Sequence, residues 1–152
     1  MELIKATVSD SECLWKMQRT AFSELYEKYQ DHETNPANEP YEKMISRLEQ
    51  PFTYYYFICV GGQKVGAIRV VDMKDGSPKR ISPIFIMKEY RNKGYAWQAI
   101  KEAEIIHGDT NWELETILQE EGNCRLYESL GYGRTGKTEI INDRMTLVYY
   151  IK

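Results

Sequence analysis

The stretch Ile84-Phe-Ile-Met-Lys-Glu-Tyr-Arg-Asn-Lys-Gly-Tyr-Ala96 decides how the rest of the chain is read. Its β-branched and aromatic start predicts a strand. A charged segment ending at Gly94 predicts a tight turn. From Tyr95 onward the apolar residues Ala96, Ala99, Ile100, Ala103 and Ile106 recur at helical spacing. The backbone N–H groups that open a helix lack internal partners and carry partial positive charge. Gly94 allows another group to approach the backbone closely, and Arg91 and Lys93 add full charges. A strand, a basic turn and a helix start in this order form a cradle for a phosphate or pyrophosphate.

Working outward, Glu2 to Thr7 reads as a first strand, and Ser9 with Glu12 reads as a capping box for the following helix. Leu14, Met17, Ala21, Phe22, Leu25 and Tyr29 form one face of that helix. Gln30 to Glu39 is polar, contains Asn35-Pro36 and reads as a loop. A short helix follows Pro40, with Tyr41, Met44, Ile45 and Leu48 inward. Phe52 to Val60 and Lys64 to Val71 are strands joined at Gly61-Gly62, and Gly66 marks a bulge. Ile81 to Met87 is the strand that feeds the basic turn. His107-Gly108 closes the next helix, Trp112 to Leu118 is a strand, and a short helix contains Leu126, Tyr127 and Leu130. Two strands, about Thr135 to Ile141 and Arg144 to Ile151, complete the pattern. The order β, α, α, β, β, β, α, β, α, β, β over residues 1–152 describes one α+β domain.

Composition narrows the functional classes. Of the 152 residues, 42% are hydrophobic and 28% charged, which is ordinary for a globular protein. A net charge of −3 argues against a general nucleic-acid binder. No apolar run approaches the length of a membrane span. Met1-Glu-Leu-Ile-Lys5 has no signal-peptide pattern. Cys13, Cys59 and Cys124 are widely spaced and odd in number, which fits a reducing compartment, so the expected location is the cytoplasm. His32 and His107 lie far apart with no ligand-like neighbours, and no metal is expected.

Arg91-Asn92-Lys93-Gly94-Tyr95-Ala96 fits the pattern Arg/Gln-x-x-Gly-x-Gly/Ala and resembles the pyrophosphate loop of the GNAT family of N-acetyltransferases. The order of elements resembles that family's fold over nearly the whole chain. The resemblance implies a mixed, mostly antiparallel sheet of about seven strands flanked by about four helices. It also implies that the strands Ile81–Met87 and Trp112–Leu118 splay apart to admit the thioester arm of acetyl-coenzyme A. On this reading the amides from Asn92 to Ala96 and the side chains of Arg91 and Lys93 grip the pyrophosphate. The backbones of Phe85 and Ile86 pair with the pantetheine arm, and the Ile86 N–H holds the thioester carbonyl.

Asn123-Cys-Arg-Leu-Tyr127-Glu-Ser-Leu-Gly131-Tyr132 is similar to the family's second signature. Carried over, Tyr127 protonates the departing thiolate; the plainer alternative is a core tyrosine. Many family members place an asparagine seven residues before this tyrosine. Glu120 stands there in this chain and Asn123 lies nearer, which leaves the pantetheine contact open between them. The implied activity is transfer of an acetyl group to a small-molecule or peptide amine by direct attack, with a homodimer as the implied assembly. Two alternatives stand beside it. One is an acyl-coenzyme A binding module of the same fold without catalysis. The other is a nucleotide-binding protein, because Gly131-Tyr-Gly-Arg-Thr-Gly136-Lys137-Thr138 matches the P-loop letters. The residues after it favour strands rather than the helix a P-loop requires.

For the acceptor, the acidic loop Asp31 to Glu39 reads either as a solvated surface or as the wall of a site for a cationic amine, with Glu33 as the candidate contact. In the strand carrying Tyr54, Tyr55 and Tyr56, Tyr55 faces opposite to its neighbours and reads either as acceptor pocket or as packing. Glu33, Glu113, Glu115 and Glu120 are candidates for the base that takes the amine's proton. Cys124 has no histidine partner nearby and is a poor nucleophile candidate.

Overall fold

The computed structural model describes all 152 residues. Its strands are β1 (Glu2–Lys5), β2 (Thr53–Val60), β3 (Gln63–Val71), β4 (Lys79–Ile86), β5 (Trp112–Ile117), β6 (Gly133–Ile140) and β7 (Thr146–Ile151). Its α-helices are α1 (Ser11–Tyr29), α2 (Tyr41–Glu49), α3 (Tyr95–His107) and α4 (Glu121–Ser129). The seven strands form one sheet in the order β1-β2-β3-β4-β5-β7-β6. Every neighbouring pair is antiparallel except β4 and β5. This is the predicted α+β architecture, with the predicted number of strands and helices.

The helices cover both sheet faces. On one side Ala99, Ile100 and Ala103 of α3 and Cys124 and Tyr127 of α4 pack on Ile58, Ile68 and Val70. On the other side Leu14 and Ala21 of α1 and Met44 of α2 pack on Tyr55, Phe57 and Phe85. The predicted inward position of Ile106 is wrong: it is 49% exposed, and α3 buries Glu104 instead. That carboxylate is held by Lys152 Nζ at 2.9 and 3.0 Å, which satisfies the buried charge.

Helix α1 begins differently from the expected Ser9–Glu12 capping box. The Asp10 carboxylate reaches back to the Thr7 N–H at 2.9 Å, across a single 3-10 turn. Glu12 instead pairs outward with Lys16. Gln18, which looks like an ordinary polar residue in the sequence, is fully buried. It accepts from the Tyr55 hydroxyl at 2.7 Å and donates to Pro36 O and the Glu39 carboxylate. This network pins the loop before α2 against α1.

The β2–β3 turn places Gly61 and Gly62 at φ of +57° and +82°, the left-handed values that a two-residue hairpin turn needs. Register slips between Ile58 and Cys59, next to Gly66, as the bulge reading expects. Gly66 has a further constraint. A Cβ there would stand 2.1 Å from the Phe85 carbonyl oxygen of β4. We therefore expect Gly66→Ala to push β3 from β4 and cost about 2 kcal/mol or more, by analogy with overpacked cores. For a chain of this size the melting temperature should fall by about 6 °C. An unchanged thermal midpoint would mean that the two strands yield freely at this contact.

Strands β4 and β5 pair only at Lys79–Trp112 and Arg80–Glu113. The reason lies one residue further on. Opposite Arg69 of β3, strand β4 carries the two residues Ser82 and Pro83, a bulge between the Ile68–Ile84 and Val70–Ile81 pairs. A bulge bends its strand, and proline offers no N–H for a ladder. The Arg69 guanidinium stabilises the bend by donating to Ser82 O at 2.8 Å. Burial pulls Arg69 down to about 10, and the nearby Arg47 charge adds to the effect. The splay of β4 from β5, implied by resemblance, thus has a cause in Pro83.

Candidate functional site

Beyond Ile86 the chain makes a short turn at Lys88–Tyr90 and reaches α3 through Arg91 to Gly94. Asn92 and Gly94 both adopt left-handed backbone, at φ of +63° and +80°. This turns successive N–H groups toward one concavity. None of the backbone N–H groups from Asn92 to Trp97 has an acceptor in the protein. A chain of free amides running into a helix N-terminus is an anion-binding nest. A Cβ built on Gly94 meets only the tip of Gln98, at 3.9 Å, so glycine is required there for its φ rather than by crowding within the protein.

Arg91 also has a bracing role within the protein. Its Nε donates to Ile86 O at 2.8 Å and its guanidinium also donates to Ala21 O at 2.9 Å, with Glu24 at 3.8 Å. The side chain braces the loop against β4 and α1 with two of its five N–H donors, and it lines the cavity beside the loop. Lys93 is exposed and free of carboxylates, with its ammonium 5.9 Å from the centre of the Tyr90 ring. The loop forms one wall of a cavity of about 500 Å³, completed by Phe22 and Leu25 of α1, Ile84, Phe85 and Ile86 of β4, and Tyr127. Tyr95 and Ala96 line the same wall from α3.

Strand β4 presents its backbone to this cavity in alternation. The Met87 N–H donates to Val65 O of β3. By strand alternation the Ile84 and Ile86 N–H groups point the other way, into the gap beside β5. Ile86 is therefore placed as the sequence reading has it. Phe85 is not: its backbone faces β3, and its ring packs edge-on against Phe22 at 5.7 Å. Ile84 takes the place expected of it.

Helix α4 starts at Glu121, so that Asn123 lies in its first turn. A second cavity, of about 360 Å³, lies at the β4–β5 gap, lined by Ile81, Pro83 and Ile84 of β4 and by Glu115 and Ile117 of β5. Phe22, Leu25, Ile84, Asn123 and Tyr127 line both cavities, which puts them at the junction. Tyr127 is only 7% exposed. The hydroxyls of Tyr29, Tyr55, Tyr56, Tyr132 and Tyr150 all have hydrogen-bond partners, and the Tyr127 hydroxyl has none. It is not sealed in the core either, because Arg69 Nε is the one fully buried side-chain polar atom without a partner. The phenol therefore opens into the cavities. Burial, aided by the nearby Cys124 and Glu115, pushes its pKa well above the usual value, so it holds its proton firmly.

Glu120 lines only the first cavity and is held by Lys28 at 2.7 Å and the Tyr29 hydroxyl, which fixes it as a bridge between α1 and α4. Asn123, at the junction, is the better placed of the two for a pantetheine contact. Glu115 lines the second cavity, in a two-bond ion pair with Arg80 at 2.8 Å. Glu113 lines neither cavity.

Other expectations fail for clear reasons. Glu33 is exposed and lines neither cavity. The loop turns Asp31 and Asn35 inward instead, because the Asp31 carboxylate organises the turn by accepting from Thr34 and Asn35. Tyr55 is buried under α1, where its hydroxyl serves the Gln18 network, and lines neither cavity. The P-loop reading also falls: Gly133–Ile140 is strand β6, paired with β7, with no helix after it. Cys124 is buried against Ile117 O and Leu118 O. The structure gathers no group of three or more His, Cys, Asp or Glu that could hold a metal ion. No helix is long and apolar enough to cross a membrane.

Comparison with known proteins agrees with this geometry. Spermidine N-acetyltransferase from Vibrio cholerae, solved with CoA and spermine, superposes with a TM-score of 0.76 at 15% identity, covering 98% of this chain and 92% of that one. Microcin C7 self-immunity acetyltransferase, solved with acetyl-CoA and AMP, gives 0.73 at 15% identity, covering 97% and 89%. An acetyltransferase from Thermus thermophilus gives 0.71 at 12% identity, covering 99% and 95%. At these identities the likeness establishes the fold. No curated protein sequence matches the chain. Residues 14–132 match the acetyltransferase (GNAT) family, and this chain belongs to that family.

Proposed function

We propose that the protein transfers the acetyl group of acetyl-CoA to a small-molecule amine, by direct attack with both reactants bound. The observation that carries this reading is the placement of Tyr127. It is a buried, protonated, unpartnered phenol at the junction of a cavity headed by an amide nest and a second cavity at the splayed strands. The free amides from Asn92 to Trp97 fit a pyrophosphate, and the open space over Gly94 leaves room for it. When bound, acetyl-CoA supplies an activated thioester carbonyl. The chain's residues do the rest. The Ile84 and Ile86 N–H groups and the Ile84 carbonyl offer a strand edge to the amides of the pantetheine arm, while the Ile86 carbonyl already receives Arg91. The Ile86 N–H donates to the acyl oxygen as it gains charge. The neutral amine nitrogen bonds to the acyl carbon as the carbon–sulfur bond breaks, Tyr127 gives its proton to the departing sulfur, and the proton shed by the nitrogen passes to water in the open cavity, from which the phenol is restored. Holding both reactants in line removes much of the entropic barrier.

The test is thermal unfolding followed by turnover. Acetyl-CoA should raise the melting temperature and ATP–magnesium should not, since only a ligand of the native state stabilises it. A panel of amines should then release free coenzyme A thiol. Stabilisation by ATP–magnesium alone would overturn the reading. Binding of acetyl-CoA with no thiol release from any amine would leave a binding module without catalysis.

A further inference from the structure

The second cavity has a charge pattern of its own. Asp31, Glu115 and Glu139 line it, and no lysine, arginine or histidine does. These acids are not equivalent. Glu115 is neutralised by Arg80. Asp31, only 4% exposed, accepts from the Thr34 hydroxyl at 2.9 Å and from the Asn35 amide at 3.1 Å, and no cation lies within ion-pair distance. Glu139 accepts from the Tyr149 hydroxyl at 2.7 Å. Lys137, the nearest basic side chain on its strand, stacks over the Tyr149 ring at 4.3 Å and does not pair with Glu139. Two carboxylates therefore face the cavity with charge to spare. Between them the walls are apolar, with Leu25, Ile117, Ile141, Met145 and Leu147. At the inner end stands Tyr127, a side chain more than nine-tenths buried whose unpartnered hydroxyl opens into the cavities.

We infer that the acceptor is an aliphatic diamine that carries no carboxylate. One nitrogen reacts beside Tyr127, and the other, as an ammonium, is held by Glu139 and Asp31. The inference rests on the acetyltransferase reading and gives it a substrate class. An ammonium meets the buried Asp31 carboxylate beside apolar walls, and the exposed Glu139 at the outer end adds a field of the same sign. A carboxylate on the substrate would find no cation to receive it. The apolar stretch suits a methylene spacer. The sheet also sets its length: Glu139 on β6 lies two strands beyond β5 at the edge of the gap, which is about 10 Å at the usual strand spacing.

The test compares kcat/KM for α,ω-diamines of increasing length with n-alkylamines of the same length, at low ionic strength. Diamines should be better acceptors by about tenfold, the weight of one charge-assisted contact. The advantage should grow until the spacer bridges the sheet, and added salt should shrink it. Glu139→Gln and Asp31→Asn should each cut the ratio of diamine to monoamine kcat/KM severalfold, mainly through KM. Should Asp31→Asn fail to fold, because its carboxylate organises a turn, Glu139→Gln on the exposed strand decides alone. Turnover of monoamines and diamines at equal efficiency, or preference for an amine bearing a carboxylate, overturns the inference and leaves the acetyltransferase reading intact. Absence of thiol release with every amine overturns both.

Discussion

Gly94→Glu is expected to weaken acetyl-CoA binding by about a hundredfold or more, a loss of roughly 2.7 kcal/mol. Three effects act together. Gly94 sits at φ of +80°, a region that costs an L-residue about 1–2 kcal/mol. Relaxing that strain rotates the peptides on either side and disperses the amides of the nest. The new carboxylate also occupies the space over the loop and repels an anion there. The protein itself should tolerate the change, since a Cβ at this position meets only Gln98 at 3.9 Å. Gly94→Ala separates the contributions: it keeps the backbone strain and omits the charge, so its loss should be smaller. Isothermal titration with acetyl-CoA, beside a melting curve for each variant, checks this. A folded Gly94→Glu protein with wild-type affinity would remove the loop from the site.

Tyr127→Phe is expected to slow the chemical step by about a hundredfold, the lower range for a general acid. Phenylalanine keeps the ring that packs against Tyr132 at 5.9 Å and against Tyr150 at 6.1 Å. The lost hydroxyl has no protein partner, so nothing is left unpaired and stability should hold. That contrast makes the variant informative: a structural tyrosine would show its loss in the melting temperature and a catalytic one in the rate. Acetyl-CoA affinity should change little. Coenzyme A is a fairly good leaving group, which limits the effect at the low end. Single-turnover measurement of thiol release tests it, and a wild-type rate would reassign Tyr127 to the core.

Local patterns carry most of the fold in the sequence. The basic turn, the hairpin glycines and the helix faces rest on neighbours close along the chain, and these are legible. Long-range contacts are not. Gln18 looks like a surface residue until Tyr55 and Glu39, from elements far away in sequence, enclose it. Glu33 and Asp31 stand two apart in one acidic loop, and only the turn built on Asp31 decides which of them faces inward. Arg91 reads as a phosphate ligand from its charge, whereas its hydrogen bonds to Ile86 and Ala21 depend on where α1 docks. Pro83 is a missed signal within reach, because a proline in an apparent strand marks an edge or a bulge. Here it marks both, and the gap between β4 and β5 at which the second cavity opens follows from it.

Helix α1 is a common wall of the two cavities. Its Phe22 and Leu25 line both, and its Ala21 carbonyl anchors Arg91 of the loop. Tyr29 O receives Asn142 from the β6–β7 turn, and Lys28 and Tyr29 hold Glu120 at the start of α4. On the proposed reaction, a displacement of α1 by one ligand would reshape the surface offered to the other, and such a coupling is reciprocal: whatever factor acetyl-CoA imposed on the dissociation constant of the acceptor, the acceptor would impose on that of acetyl-CoA.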